Sequence, residues 1–272
     1  MGLEETKHLL RTFRIVPNKL LGQNFMVEPL VYPKLCEYAC LGKEDVVLDS
    51  GAGFGFLTRF LAGRCKTVVA VEKDPRIAMV LRDQVQGYEN VIVVQGDVLK
   101  AELPAFNKVI AVPPYYLSSR LVTRILKRQT ECSVLILQKE FADKLLAPVG
   151  TENYSWLTVV AFHDAQVELM ESVPKTVFYP PPQVDSVIVR LRTWDTAPFD
   201  VKDEEFFNRL VRWLFTQRNK KLSNSLPPFI KSAFKVRKEE AVKLAHNVPF
   251  ADRRARELAP REFGELANVL AK

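Results

Sequence analysis

Pro113-Pro114-Tyr115 is the triplet in this chain with the most pointed chemistry. It follows the apolar run Val109-Ile110-Ala111-Val112, so it stands at the carboxyl end of a buried strand, where open α/β sheets bind their ligands. Two consecutive prolines fix the backbone and hold its carbonyls still, and the tyrosine adds a flat face. Rigid acceptors beside an aromatic ring suit a planar base that carries an exocyclic amino group. The chemistry to expect at this turn is therefore the stacking of a flat base beside fixed carbonyl acceptors.

A second loop offers a place for a cofactor. Asp49-Ser50-Gly51-Ala52-Gly53-Phe54-Gly55 lies between a strand-like run and a helix-like one. Glycines at such a junction let the backbone turn sharply and come close to a ligand. Alone, the run suits a dinucleotide, a nucleoside cofactor or a tight turn. Two acidic residues narrow the choice. Glu72 closes the second strand-like run, where a carboxylate accepts from both hydroxyls of a ribose. Asp97 closes the third, placed to accept from an adenine amino group. Carboxylates at both strand ends, and a glycine spacing unlike the dinucleotide fingerprint, favour S-adenosylmethionine over NAD.

Holding these groups together requires a layered frame. Short β-branched runs at 46–49, 68–72, 91–95, 108–112 and 134–138 alternate with amphipathic stretches at 56–62, 76–86 and 119–128. The alternation predicts an α/β fold with a parallel sheet covered on both faces. Two final strands are expected at 166–172 and 184–192. The Pro180-Pro181-Pro182 run between them cannot join a ladder and must lie in an ordered loop. Residues 195–203 read as a linker, followed by helices at 204–217, 228–234, 238–245 and 260–271. The last has Pro260 near its first turn and Glu262 at the positive end of its dipole. This gives two domains, 1–194 and 204–272.

Composition is that of an ordinary globular protein, with 47% hydrophobic and 26% charged residues, but the charge is unevenly placed. Residues 1–200 hold 23 basic and 23 acidic side chains, whereas 201–272 hold 16 and 9. A neutral body with a basic appendage suits a polyanion docked by the appendage. No apolar run approaches the ~18 residues of a membrane span. The N-terminus, with Glu4, Glu5, Lys7, Arg11 and Arg14, lacks a signal peptide's apolar core. A cytoplasmic chain with no membrane partner is expected. Cys36 and Cys40 fall on one helix face, but no second pair or His cluster completes a four-ligand metal site. All four cysteines, Cys65 and Cys132 included, are expected as small buried hydrophobes, and no metal is expected.

With the glycine loop, the two carboxylates and the Pro-Pro-Tyr turn assembled, the chain resembles the KsgA-type rRNA adenine dimethyltransferases over nearly its full length. Leu21-Gly22-Gln23-Asn24-Phe25-Met26 is similar to the family's N-terminal signature, which closes over the methionine part of the cofactor. Gln138-Lys139-Glu140 and Gly150-Thr151-x-x-Tyr154-Ser155 match its mid-chain motifs. Val177-Phe178-Tyr179-Pro180-Pro181-Pro182-x-Val184-Asp185-Ser186 matches the loop bearing a second base-stacking aromatic. Phe215-x-Gln217-Arg218-Asn219-Lys220-x-Leu222-x-Asn224 resembles its basic RNA-binding signature, and Arg254-Ala255-x-x-Leu258-x-x-x-Glu262-Phe263 its ending.

The resemblance implies a Rossmann-like class I methyltransferase sheet and a smaller helical, basic RNA-binding domain. It also implies S-adenosylmethionine as cofactor and adenine N6 near the 3′ end of small-subunit rRNA as target, in ribosome biogenesis. Carried over by position, Asn24, Met26, Gly51, Gly53, Glu72, Asp97 and Val112 would line the cofactor site. Val112, Pro113, Pro114, Tyr115 and Phe178 would form the catalytic turn and hold the adenine. Arg218, Lys220 and Lys221 would meet the RNA. A monomer acting on small-subunit rRNA or a pre-ribosomal particle is expected.

Two positions depart from the family pattern. Its Asn-Leu/Ile-Pro-Tyr is here Val112-Pro113-Pro114-Tyr115, and the second Arg of its Gln-Arg-Arg-Lys is here Asn219. In the family, the Asn oxygen and the next carbonyl accept both hydrogens of N6 and so free its lone pair. Val112 has no such acceptor, and losing one acceptor tuned to the transition state costs roughly 2–4 kcal/mol, or ~10²–10³ in rate. Pro113 still offers a carbonyl. The expectation is an rRNA adenine methyltransferase of reduced activity. The alternative is an RNA-binding ribosome assembly factor with methylation weak or lost. A DNA amino-methyltransferase would share the turn, but the C-terminal motifs speak against it.

Overall fold

The computed structural model describes residues 2–18, 21–128 and 130–271. In chain order its strands are β1 (Phe25–Met26), β2 (Val46–Ser50), β3 (Thr67–Glu72), β4 (Val91–Gln95), β5 (Lys108–Ala111), β6 (Cys132–Gln138), β7 (Ala165–Val173), β8 (Phe178–Tyr179) and β9 (Ser186–Thr193). Its helices are α1 (Leu3–Thr12), α2 (Val31–Tyr38), α3 (Phe56–Ala62), α4 (Pro75–Gln84), α5 (Ser118–Arg128), α6 (Lys139–Leu145), α7 (Trp156–Asp164), α8 (Glu204–Thr216), α9 (Leu222–Phe234), α10 (Lys238–His246) and α11 (Pro260–Leu270).

The β-branched runs form the middle of a seven-stranded sheet of order β4-β3-β2-β5-β6-β9-β7. Val68, Val69 and Ala70 of β3, Val109, Ile110 and Ala111 of β5, and Val134 to Leu137 of β6 are buried, which is why these strands read as continuous apolar runs. Strands β2, β3, β4, β5 and β6 run parallel, and β9 pairs antiparallel to β6 with Gln138 opposite Ser186. Strand order reverses between β2 and β5, so the crevice beyond their carboxyl ends is the topological switch point where such sheets bind ligands. Strands β1 and β8 form a separate two-stranded ladder.

The chain forms two compact units, Met1–Ala142 with Gln166–Thr193, and Asp143–Ala165 with Trp194–Lys272. The first unit carries the sheet. The division differs from the expected 1–194 and 204–272, because 143–165 belongs with the C-terminal helices. Helix α7 buries Leu157, Val159, Val160 and Ala161 and packs on α8 and α11. Tyr154 donates from its hydroxyl to the Leu258 carbonyl at 2.7 Å. The expected linker at 195–203 also packs into this unit, where Phe199 meets the rings of Phe162, His163 and Phe207.

Two smaller expectations are corrected. Helix α9 starts at Leu222, not at Pro228, and contains both Pro227 and Pro228. Leu222, Leu226, Phe229 and Ile230 share one buried face, and that burial outweighs the local objection to proline. Cys40 is exposed and lies beyond α2 with φ 48°, so it does not share a helix face with Cys36. Cys65 and Cys132 are buried as expected, and Cys36 is half-buried.

Candidate active site

The glycine loop leaves β2 with Gly51 at φ 78° and Gly53 at φ 56°, a region that side chains with a Cβ adopt at a cost. The Gly51 and Ala52 amides donate to the Val71 carbonyl at 2.9 and 3.1 Å, which ties the loop to β3. At Gly51 a Cβ would stand 2.8 Å from Cδ of Pro114. The Pro-Pro turn after β5 therefore lies directly on the glycine loop after β2.

Glu72, at the end of β3, accepts from the Gly53 amide through Oε2 at 3.0 Å and from the Asp74 amide through Oε1 at 2.8 Å. Burial pushes its carboxyl upward against those bonds. Burial also acts on Asp97, but the Leu99 amide and Lys73 outweigh it and hold that carboxyl below the usual range. Asp49, fully buried beside Glu72 and accepting from the Thr58 hydroxyl at 2.7 Å, is pushed up to about 7 chiefly by burial.

On the other side, the Tyr115 hydroxyl sits 2.7 Å from the Ser186 hydroxyl. Its ring meets that of buried Phe178 edge-on, with centroids 6.4 Å apart and planes at 74°. Strand β1 pairs antiparallel with β8, placing Phe25 opposite Tyr179 and Met26 opposite Phe178. The Pro114 carbonyl accepts from the Leu117 amide at 2.9 Å. Val112 is half-buried and packs against the core beneath the turn.

These groups line one cavity with about 1040 Å³ of empty space, part of it open to solvent. Asn24, Met26, Gly51, Gly53, Glu72, Asp97, Val112, Pro113, Pro114, Tyr115 and Phe178 all contribute to its wall. The donor set tests the cofactor. Asp49, Glu72, Asp74 and Asp97 line the cavity against a single cation, Lys73. Such a wall repels a pyrophosphate and suits a hydroxyl-rich nucleoside bearing positive charge. S-adenosylmethionine fits it.

Asp49, Gln23, Asp74 and Ser186 belong to this architecture and were not singled out from the sequence. Asp74 had a legible signal, an acidic residue just before Pro75 at a helix start, and it does cap α4 by accepting from the Arg76 amide. Ser186 closes the 177–186 motif, but its bond to Tyr115 had no signal, because the two lie 71 residues apart.

The residues expected to meet RNA are in the other unit. Lys220 and Lys221 are exposed, and Lys221 pairs with Asp252 at 3.0 Å. Arg218 is engaged differently from the expectation. Its guanidinium donates to the Glu152 and Thr151 carbonyls, both at 2.9 Å, and so clamps the 150–152 turn. Among the described residues, one group of metal-ligating side chains converges, His163, Asp164 and Glu204. Asp164 lies against Nδ1 and Glu204 against Nε2, opposite edges of the ring, which is an ion-pair arrangement. No helix among the described residues is long and apolar enough to cross a membrane.

The family model described as ribosomal RNA adenine dimethylase matches residues 16–263. A protein named probable ribosomal RNA small subunit methyltransferase A, from Methanosarcina acetivorans, is 36% identical over 250 residues, covering 91% of each chain. Ribosomal RNA small subunit methyltransferase A of Geobacillus thermodenitrificans is 35% identical, covering 97% of this chain and 94% of its own. The crystal structure of a dimethyladenosine transferase from Plasmodium falciparum superposes with a TM-score of 0.74 at 28% identity, over 89% of this chain and 95% of that one. The 23S rRNA methyltransferase ErmE superposes with a TM-score of 0.66 at 30% identity, over 92% and 100%. A Rossmann-like sheet, an acidic cavity bordered by the Pro-Pro-Tyr turn, and a family match across most of the length lead to one conclusion: the chain belongs to the ribosomal RNA adenine dimethylase family.

Proposed function

We propose that this protein methylates N6 of adenine in small-subunit rRNA near its 3′ end, using S-adenosylmethionine, during ribosome assembly. The observation that carries the reading is the packing of the Pro113-Pro114-Tyr115 turn directly on the glycine loop, so that a base site and a nucleoside site share one wall.

When bound, S-adenosylmethionine supplies a methyl group on a cationic sulfur. Glu72 accepts from the ribose hydroxyls and Asp97 from the adenine amino group of the cofactor. Asn24, Met26 and Gly53 close around its remainder. Tyr115 and Phe178 hold the target base, which must leave its helix or loop to reach them. The Pro113 carbonyl accepts one hydrogen of the exocyclic nitrogen and aims its lone pair, and much of the rate comes from this positioning. That nitrogen loses a proton only after it has become cationic, so no side chain needs to act as a base beforehand. Lys220 and Lys221 engage RNA phosphates, while Arg218 keeps its adjoining turn in place.

Val112 supports a second reading, an RNA-binding assembly factor with little methylation, because its side chain offers no acceptor to the base. Mass spectrometry of small-subunit rRNA after incubation with the protein and labelled cofactor separates the two. Label on adenine N6 supports the enzyme. Cofactor binding that Glu72→Ala abolishes, without label on RNA, supports the assembly factor.

A further inference from the structure

We propose that Gln23 is a positioning residue, a latch that joins the cofactor pocket to the wall of the base pocket so that the two ligands bind cooperatively. The inference rests on the cofactor reading above and extends it to a residue and a coupling of its own.

Gln23 lies in the segment 21–26, which contributes to the cavity wall from outside the main sheet. Its side-chain amide is used at both ends. The Asn18 amide donates to Oε1 at 2.7 Å, and Nε2 donates to Oδ2 of Asp74 at 3.0 Å, a bond between residues 51 apart in sequence. Asp74 is a dependable anion for this purpose, since Arg76 holds its carboxyl down to about 2. Bonds to a charged acceptor are also the stronger ones. The Asp74 amide in turn donates to Oε1 of Glu72, the carboxylate assigned to the ribose. One end of the segment is thus anchored to the turn that carries the cofactor's main acceptor.

The other end is anchored to the base pocket. Met26 pairs with Phe178, and the Val27 amide donates to the Val177 carbonyl at 2.8 Å. Between Gln23 and Met26 there are only two residues, so the linkage spans at most about 10 Å and has little slack. A cofactor that settles against the segment stabilises Phe178 in its place, and a base against Phe178 stabilises the segment in return. Linkage makes the two effects equal in free energy.

The test uses the full chain, S-adenosylhomocysteine as the cofactor probe and a small-subunit rRNA fragment as the base probe. Gln23→Glu sets a carboxylate against Asp74 and breaks the latch. Asp74→Asn in the same chain restores a donor–acceptor pair with residue 23 and still caps α4 through Oδ1. It also gives up the Arg76 ion pair, so Asp74→Asn alone is the baseline against which rescue is read. The unaltered protein should bind the fragment several-fold more tightly when saturated with S-adenosylhomocysteine. Gln23→Glu should bind S-adenosylhomocysteine about tenfold more weakly and lose that enhancement. The double variant should recover both. Gln23→Ala removes the bond without adding charge and takes the place of Gln23→Glu if the latter fails to fold. Retained coupling in the Gln23 variants, no rescue by Asp74→Asn, or no coupling in the unaltered protein would overturn the latch. Failure of the unaltered protein to bind S-adenosylhomocysteine would reject the cofactor reading itself, and the latch with it.

Discussion

Gly51→Ala probes the contact that joins the two halves of the site. At φ 78°, a residue with a Cβ costs roughly 1–2 kcal/mol. The added methyl would also stand 2.8 Å from Cδ of Pro114, and a pyrrolidine ring cannot rotate out of its way. Overpacking of this kind costs roughly 1–3 kcal/mol, so the two effects together reach about 2–5 kcal/mol. Part of this appears as lost stability and part as a displaced Pro113-Pro114 turn. A 1 Å misplacement at a reacting centre costs ~10²-fold in rate, so methylation should fall ten- to a hundredfold. Gly63→Ala is the control. Gly63 has φ −74° and nothing within 4 Å of its would-be Cβ, so alanine there should be neutral or stabilise by about 0.4–1 kcal/mol. Urea unfolding followed by far-UV circular dichroism gives the stability. Tryptophan fluorescence is unsuitable, because Trp156, Trp194 and Trp213 all lie in the other compact unit. Single-turnover methylation gives the rate. If Gly51→Ala matches Gly63→Ala in both measurements, the close approach of turn and loop has no consequence and the reasoning fails.

Val112→Asn restores the side-chain acceptor of the family pattern and should raise methyl transfer to adenine N6 about tenfold or more, with cofactor affinity little changed. A rate equal to or below that of the unaltered protein would mean that Val112 serves packing and that the Pro113 carbonyl suffices. Replacing Lys220 and Lys221 by glutamine should lower the salt dependence of RNA binding by one to two units of slope, and an unchanged slope would move the RNA surface elsewhere. Buried His163 has Asp164 at 2.7 Å from Nδ1 and Glu204 at 3.7 Å from Nε2. Burial lowers its pKa, but the Asp164 bond and both carboxylate charges outweigh this and raise it above 6.5. A raised folded value means that the imidazolium's contribution is complete below about pH 6.5 and fades as pH climbs through the folded pKa. The melting temperature should therefore drop over that interval, and His163→Gln should flatten the drop. Parallel pH profiles for the two proteins would count against the ion pair.

The sequence disclosed the sheet because its central strands are buried on both faces and so read as apolar runs. It disclosed most of the site because Gly51, Glu72, Asp97 and Pro113 stand at strand ends, where a linear pattern and a three-dimensional position coincide. What stayed hidden depends on partners remote in the chain. The bond from Gln23 to Asp74 and that from Tyr115 to Ser186 leave no local periodicity to detect. Helix α7 buries most of its residues, Leu157 to Ala161 and His163, so its sequence shows no amphipathic stripe. Arg218 shows a second role that the sequence does not display. A basic residue inside a basic motif suggests a phosphate ligand, and in the fold two of its donors also hold the Glu152 and Thr151 carbonyls, partners 66 and 67 residues away.

The discontinuous build of the C-terminal unit has a consequence for how the chain is made and how it can be cut. Emerging from the N-terminus, α7 appears well before the helices it packs on. From Asp164 to Glu204 is about 40 residues, or about 2–8 s at synthesis rates of ~5–20 residues per second. During that interval Leu157, Val159 and Val160 lack the native partners that α8 and α11 supply. The same holds permanently for a fragment that stops at 194, which would keep α7 and lack both α8 and α11. A minimal catalytic fragment therefore requires excision of 143–165 as well, with a polar bridge from Ala142 to Gln166, and its solubility compared with that of the simple truncation would report how much α7 depends on its late partners.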